Sequence, residues 1–90
     1  MLKFKKEEYY NGRLAIDMVG KFKGEIYEDT VSVNLVDCFC PEGYAYLDTN
    51  NFPFIADLIT KKGIGEDTNL RGYSGFCSYP LFKIDLEKLA

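Results

Sequence analysis

Histidine and tryptophan are absent from these 90 residues; proline and cysteine occur three times each, and apolar runs stop after a few residues. Without histidine there is no Ser-His-Asp or Cys-His nucleophilic system, no imidazole metal ligand and no ordinary near-neutral general base. Catalysis would have to rest on carboxylates or a metal alone; the chain is read as non-catalytic, with no cofactor assigned. The apolar runs fall far short of the roughly 20 residues a membrane helix needs. The N-terminus, Met1-Leu2-Lys3-Phe4-Lys5-Lys6, is charged with no apolar stretch behind it, so no secretory signal is expected. Cys38, Cys40 and Cys77 form an odd set, which argues against a disulfide framework and for reduced thiols in a cytoplasm.

The residues that are present describe a folded chain. Hydrophobic residues make up 47% and aromatics 16%, as seven Tyr and seven Phe, far too apolar for disorder. Ninety residues suit a single domain spanning 1–90 with a thin core. The net charge of −3 is unevenly spread: residues 25–57 hold seven acidic side chains and no basic one. Nucleic-acid binders usually show a basic stripe, so direct nucleic-acid binding is not expected. The acidic Glu25–Asp57 region is either a solvated face or a surface for a partner protein with a basic surface.

Local patterns predict an α+β fold: one mostly antiparallel sheet of about five strands, with one short helix packed on a face. Leu2–Tyr9 and Arg13–Val19 flank Tyr10-Asn11-Gly12, a hairpin signal. A three-residue loop pairs Phe4 with Met18 on the apolar face and gives Gly12 the left-handed bulge position; a two-residue loop would set Lys5 opposite Met18. Lys21–Gly24 reads as a polar turn. Ile26–Val36 reads as one strand with Val31, Val33 and Leu35 buried and Thr30, Ser32 and Asn34 wet. Asp37–Gly43 is a loop and Tyr44–Asp48 a short strand. Asp48-Thr49-Asn50-Asn51 then leads, as a capping cluster, into a helix with Pro53 in its first turn. Phe54, Ile55, Leu58 and Ile59 form its apolar stripe, and Gly63 or Gly65 ends it. Ile64–Tyr79 reads as a long irregular loop, and Leu81–Leu86 as a last strand with Pro80 at its beginning or on an edge.

Several constellations bear on function. Cys38-Phe39-Cys40 with Cys77 lacks a fourth ligand and the two- to four-residue spacer of structural zinc sites, so buried thiols are the simpler reading. Asp48-Thr49-Asn50-Asn51 offers oxygens to a hard cation but lacks the spacing of a calcium loop. Arg71 beside Gly72-Tyr73-Ser74-Gly75 matches no phosphate-binding motif, yet a guanidinium near loop N–H groups suits an anion. The candidate binding residues are Asp48, Asn50, Asn51, Arg71, Tyr73, Ser74, Cys77 and Tyr79.

Asn11-Gly12-Arg13-Leu14-Ala15-Ile16, Val33-Asn34-Leu35, Asp48-Thr49-Asn50-Asn51 and Ser74-Gly75-Phe76-Cys77-Ser78-Tyr79-Pro80-Leu81 running into Asp85-Leu86 cover most of the chain in order. In these segments it resembles an uncharacterised domain-of-unknown-function family, one associated with conjugative and other mobile elements of gut bacteria, chiefly Firmicutes. It departs from that pattern at Cys38-Phe39-Cys40. The resemblance implies no activity, only a setting in which small proteins block host defence or assist transfer. The expectation is therefore a protein-interaction module, in one version an acidic nucleic-acid mimic acting against a defence enzyme. The alternative is a small-molecule or anion-binding domain using the Arg71–Pro80 loop, with Arg71, Ser74 and Tyr79 in a pocket.

Overall fold

The computed structural model describes residues 2–90. Its strands are β1 (Leu2–Glu8), β2 (Leu14–Phe22), β3 (Glu25–Thr30), β4 (Ser32–Val33), β5 (Tyr44–Leu47), β6 (Gly65–Ser74) and β7 (Cys77–Ile84). One helix, α1 (Ile55–Lys61), lies between β5 and β6, and a 3-10 turn at Leu86–Lys88 follows β7. The strands form two antiparallel sheets, not one of about five: β1-β2-β3 and β4-β5-β7-β6.

The first hairpin follows the burial argument. Phe4 pairs with Met18, Tyr9 N–H donates to Arg13 O, and Gly12 sits at φ +84°. Phe4 and Ile16 are thereby buried on one face. The second turn is tighter than Lys21–Gly24. Strand β2 runs on to Phe22, opposite Glu25, and Lys23 and Gly24 alone turn the chain with φ of 51° and 82°. Two consecutive positive φ values are those of a type I′ turn, whose twist matches the strands.

The segment 26–36 is not one strand. Strand β3 ends at Thr30, and the chain crosses to the second sheet at Val31 and Ser32. Val31 is fully buried; its N–H donates to Ile16 O, and its carbonyl accepts from Asp48 N–H. Ser32, expected on a wet face, is 5% exposed. Its hydroxyl accepts from Ile16 N–H at 3.0 Å and shares a 2.7 Å hydrogen bond with the Tyr9 hydroxyl. A polar residue lies inside because the crossing strand leaves backbone and phenol groups there that require a partner. Leu35, expected in the strand, lies in the following loop.

The helix begins at Ile55, later than the sequence suggests, with Phe54 as its N-cap residue and Pro53 just ahead of it. No side chain caps it. Asp48 instead closes its own turn, accepting from the N–H and Nδ2 of Asn51 at 3.1 and 2.9 Å. Of the predicted stripe, Ile55 and Ile59 are fully buried, Leu58 is half-buried and Phe54 is 50% exposed. Seven residues make two turns, too short to turn all four inward. The C-terminus is a Schellman motif: Ile64 N–H reaches Ile59 O, Gly63 N–H reaches Thr60 O, and Gly63 takes φ +69°. Ile55 and Ile59 meet Phe4, Ile16, Leu47, Phe82 and Ile84 in the main core.

The largest departure is Ile64–Tyr79, which is a hairpin and not an irregular loop. Strands β6 and β7 pair from Gly65–Ile84 to Ser74–Cys77, and Gly75-Phe76 alone form the turn. The pattern was hidden because β6 is polar on both faces and interrupted at residues 68–70. There the Asp67 carboxylate accepts from Asn69 N–H, Asn69 takes φ 67°, and the Thr68 hydroxyl donates to Leu81 O at 2.8 Å. Thr68 thus satisfies a carbonyl that the bulge deprives of its ladder partner. Pro80 is inside β7, not at its start or on an edge. Counting from the two-residue turn, Arg71–Pro80 is a non-hydrogen-bonded pair, so the missing N–H removes nothing from β6, and β5 stops pairing at Leu81. Leu86 leaves the strand for the 3-10 turn.

Two substitutions test this packing. A Cβ on Gly65 would stand 2.9 Å from both Lys83 O and Ile84 Cδ1, so Gly65→Ala should destabilise by about 1–3 kcal/mol in denaturant unfolding. Ser32→Ala leaves the Ile16 N–H without its buried acceptor and should cost about 1–3 kcal/mol in the same measurement.

Candidate functional site

The register divides the predicted binding residues between two faces of the β6–β7 hairpin. Arg71 pairs with Pro80 and Tyr73 with Ser78, whereas Gly72 pairs with Tyr79 and Ser74 with Cys77. Cross-strand partners share a face and neighbours along a strand alternate, so Arg71 and Tyr73 lie opposite to Ser74, Cys77 and Tyr79. Arg71 turns its guanidinium to its own hairpin, where Nε donates to Ser78 Oγ at 3.1 Å and Nη2 to Ser78 O at 3.4 Å. Arg71, Ser74 and Tyr79 therefore do not converge on one pocket.

A different subset does come together. Burial raises the Tyr79 phenol above its ordinary value, and the neighbouring Cys77 thiol and Asp48 carboxylate push it further up. Asp48 is itself 6% exposed and held by Asn51, while Asn50 points to solvent. The remaining cysteines are separate from Cys77: the Cys38 thiol faces Tyr73 O at 3.7 Å, and Cys40 donates to Tyr44 O at 3.3 Å. Burial raises the Cys40 thiol, opposed by the Arg13 charge. Among the described residues the three thiols do not gather as a ligand set.

The surface that sequence reasoning missed is apolar. Cys38, Phe39, Tyr46, Leu70, Arg71, Gly72, Tyr73 and Leu81 line a groove of about 370 Å³. Phe39 and Leu70 on its border are 71% and 56% exposed; Arg71 and Tyr73 adjoin it along β6 with their side chains on the face opposite to Gly72, and Phe76 caps the adjacent turn in full solvent. Gly72 forms the floor, where an added Cβ would lie 2.7 Å from Tyr46 Cε1 and 2.8 Å from Leu35 Cδ1. The loop wall is fixed by Arg13, which donates from Nη1 to Leu35 O at 2.6 Å and from Nη2 to Cys38 O at 2.9 Å. That pairing spans more than twenty residues and has no local signature. Phe76 did carry a signal, as a large apolar residue beside glycine in a turn.

The acidic middle third does not form one surface. Glu28 lies on one face of β3, Glu25 and Asp29 on the other, Asp48 is buried, and Asp57 is on α1. Glu28 also pairs with Lys5 at 3.4 Å, as does Glu7 at 3.3 Å.

Fold and surface together define a small antiparallel α+β domain bearing an apolar groove on a hairpin. Over residues 2–90 the chain matches the family described as a domain of unknown function, DUF4313, and it belongs to that family. No curated protein and no solved structure matches it. No helix is long and apolar enough to cross a membrane.

The phenols give a pH prediction. Tyr9, Tyr46 and Tyr79 all have raised pKa values, chiefly through burial. An acid whose folded pKa is raised is held neutral by the fold, so the unfolded chain ionises first as pH passes 10. Stability against urea should be insensitive to these groups below pH 9 and fall above about 10. In Tyr9→Phe that alkaline decline should be shallower.

Proposed function

We propose that this protein is a non-catalytic protein-interaction module whose contact surface is the groove between the 36–40 loop and the β6–β7 hairpin. The observation that carries the reading is the exposure of Phe39 and Leu70 on the border of one apolar groove. Aromatic and arginine side chains are the types that dominate binding energy at interfaces, and solvent-exposed apolar patches of this kind mark contact sites. The hairpin is ordered by its bulge and its turn, so little entropy is lost when a partner seats on it.

The nucleic-acid-mimicking version requires the carboxylates to share one surface, and their division between faces gives it no support. The anion-binding alternative is weakened likewise, because Arg71 is engaged with Ser78 and opposite to Ser74 and Tyr79. An accessory role in a mobile element stays within the proposal through the sequence resemblance.

The test is quantitative capture from lysate of the source cells, followed by reconstitution of the captured partner with purified protein. Leu70→Ala and Phe39→Ala, both at exposed positions, should leave the melting temperature unchanged and each cost about 2 kcal/mol or more of binding. A partner that binds both variants as well as the parent protein would place the contact elsewhere. Stabilisation by phosphate or nucleotides in a thermal-shift screen, lost in Arg71→Ala, would favour the anion-binding alternative.

A further inference from the structure

Edge strands expose unpaired peptide groups, and folded proteins normally cover, shorten or interrupt them. Three of the four sheet edges here are treated in that way. Strand β1 is covered by the C-terminal residue, with Lys6 N–H donating to Ala90 O and Ala90 N–H donating to Phe4 O. Strand β4 is two residues long, and β6 is broken by its bulge. Strand β3 is different: six residues long, exposed throughout, and paired only with β2 among the described residues.

The tight turn at Lys23-Gly24 determines which peptide groups are free. Phe22 and Glu25 close the turn as a hydrogen-bonded pair, so Glu25, Tyr27 and Asp29 direct their N–H and C=O groups to β2. Val31 keeps the same parity, its N–H donating to Ile16 O. Ile26, Glu28 and Thr30 therefore direct theirs outward. Both faces flanking this edge carry acid. On the face of Glu28, the carboxylates of Glu7, Asp17 and Glu28 lie within 4.8 Å of one another, with Lys5 the cation paired to two of them. The other face holds Glu25 and Asp29 beside Tyr27 and Phe22, which are 49% and 63% exposed.

From this arrangement we infer that β3 accepts an extended segment of a partner protein, rich in lysine or arginine, as a fourth strand of its sheet. Backbone pairing to Ile26, Glu28 and Thr30 supplies the ladder. Its lysine or arginine side chains then meet Glu28 on one face of β3 and Glu25 and Asp29 on the other. A second copy of this chain is a poor occupant, since β3 holds Glu25, Glu28 and Asp29 with no basic residue, and self-pairing brings acids against acids. This inference is independent of the groove proposed above.

The probe is a short synthetic peptide alternating lysine and valine, titrated into the full chain and followed by amide chemical shifts. Binding should shift Ile26, Glu28 and Thr30 most, weaken with added salt, and vanish for a glutamate–valine peptide of the same length. Ile26→Pro removes one outward N–H and none of the β2 bonds; with the melting temperature checked, it should weaken binding about tenfold or more. Glu28→Lys should do the same without touching the backbone. Absence of binding, or binding that ignores both substitutions, would overturn the inference and leave the β3 acids as guards against edge pairing. So would a concentration-dependent dimer of the parent protein that Ile26→Pro abolishes.

Discussion

The rest of the fold depends on the crossing at Val31-Ser32, where one continuous chain leaves the first sheet and enters the second. Its peptide groups serve both sides: Val31 N–H reaches Ile16 O in β2, and Val31 O takes the Asp48 N–H at the end of β5. The Ser32 hydroxyl occupies the junction, bonded to Ile16 N–H and the Tyr9 hydroxyl. In a buried location each of these groups would be costly if unpaired, so they fix the angle at which the sheets meet. The core of Phe4, Ile16, Val31, Leu47, Ile55, Ile59, Phe82 and Ile84 fills the space that this angle creates.

Two consequences of that junction bear on function. Strand β3 must stop at Thr30, so it cannot be covered by the second sheet and remains an open edge. The chain after Val33 must return across the outer face of the second sheet, where Arg13 anchors it and Phe39 remains in solvent beside β6. The groove and the open edge are thus products of the same topological decision. They lie on different sheets, which allows two contacts to be made independently.

Patterns carried by neighbouring residues were legible in the sequence, and those carried by distant partners were not. Tyr10-Asn11-Gly12 with alternating flanks was enough to pair Phe4 with Met18, since a one-residue slip would have buried Lys5. Of the two glycines expected to end the helix, Gly63 or Gly65, Gly63 does so. Alternation from Ile26 to Val36 was real, but the sheet change within it depends on Ile16, Asp48 and Tyr9, none of them nearby. Strand β6 looked like a loop because its side chains are mostly solvated and its bulge breaks the period of two. For the candidate site, the register divides residues that the sequence placed on one loop, with Arg71 and Tyr73 on one face of the hairpin and Ser74, Cys77 and Tyr79 on the other. Arg71, Ser74 and Tyr79 were assigned to one pocket only because the register, and hence the face, was not visible.

Hydrogen exchange at single-residue resolution tests the central claim most directly, that the crossing joins two sheets into one cooperative unit and strands β3 at an open edge. The amides of Ile16, Val31 and Asp48 should exchange only through global unfolding, while those of Ile26, Glu28 and Thr30 exchange rapidly from the folded state. Fast exchange at Val31 and Asp48, or protection at Ile26 and Glu28 in the isolated protein, would contradict the account.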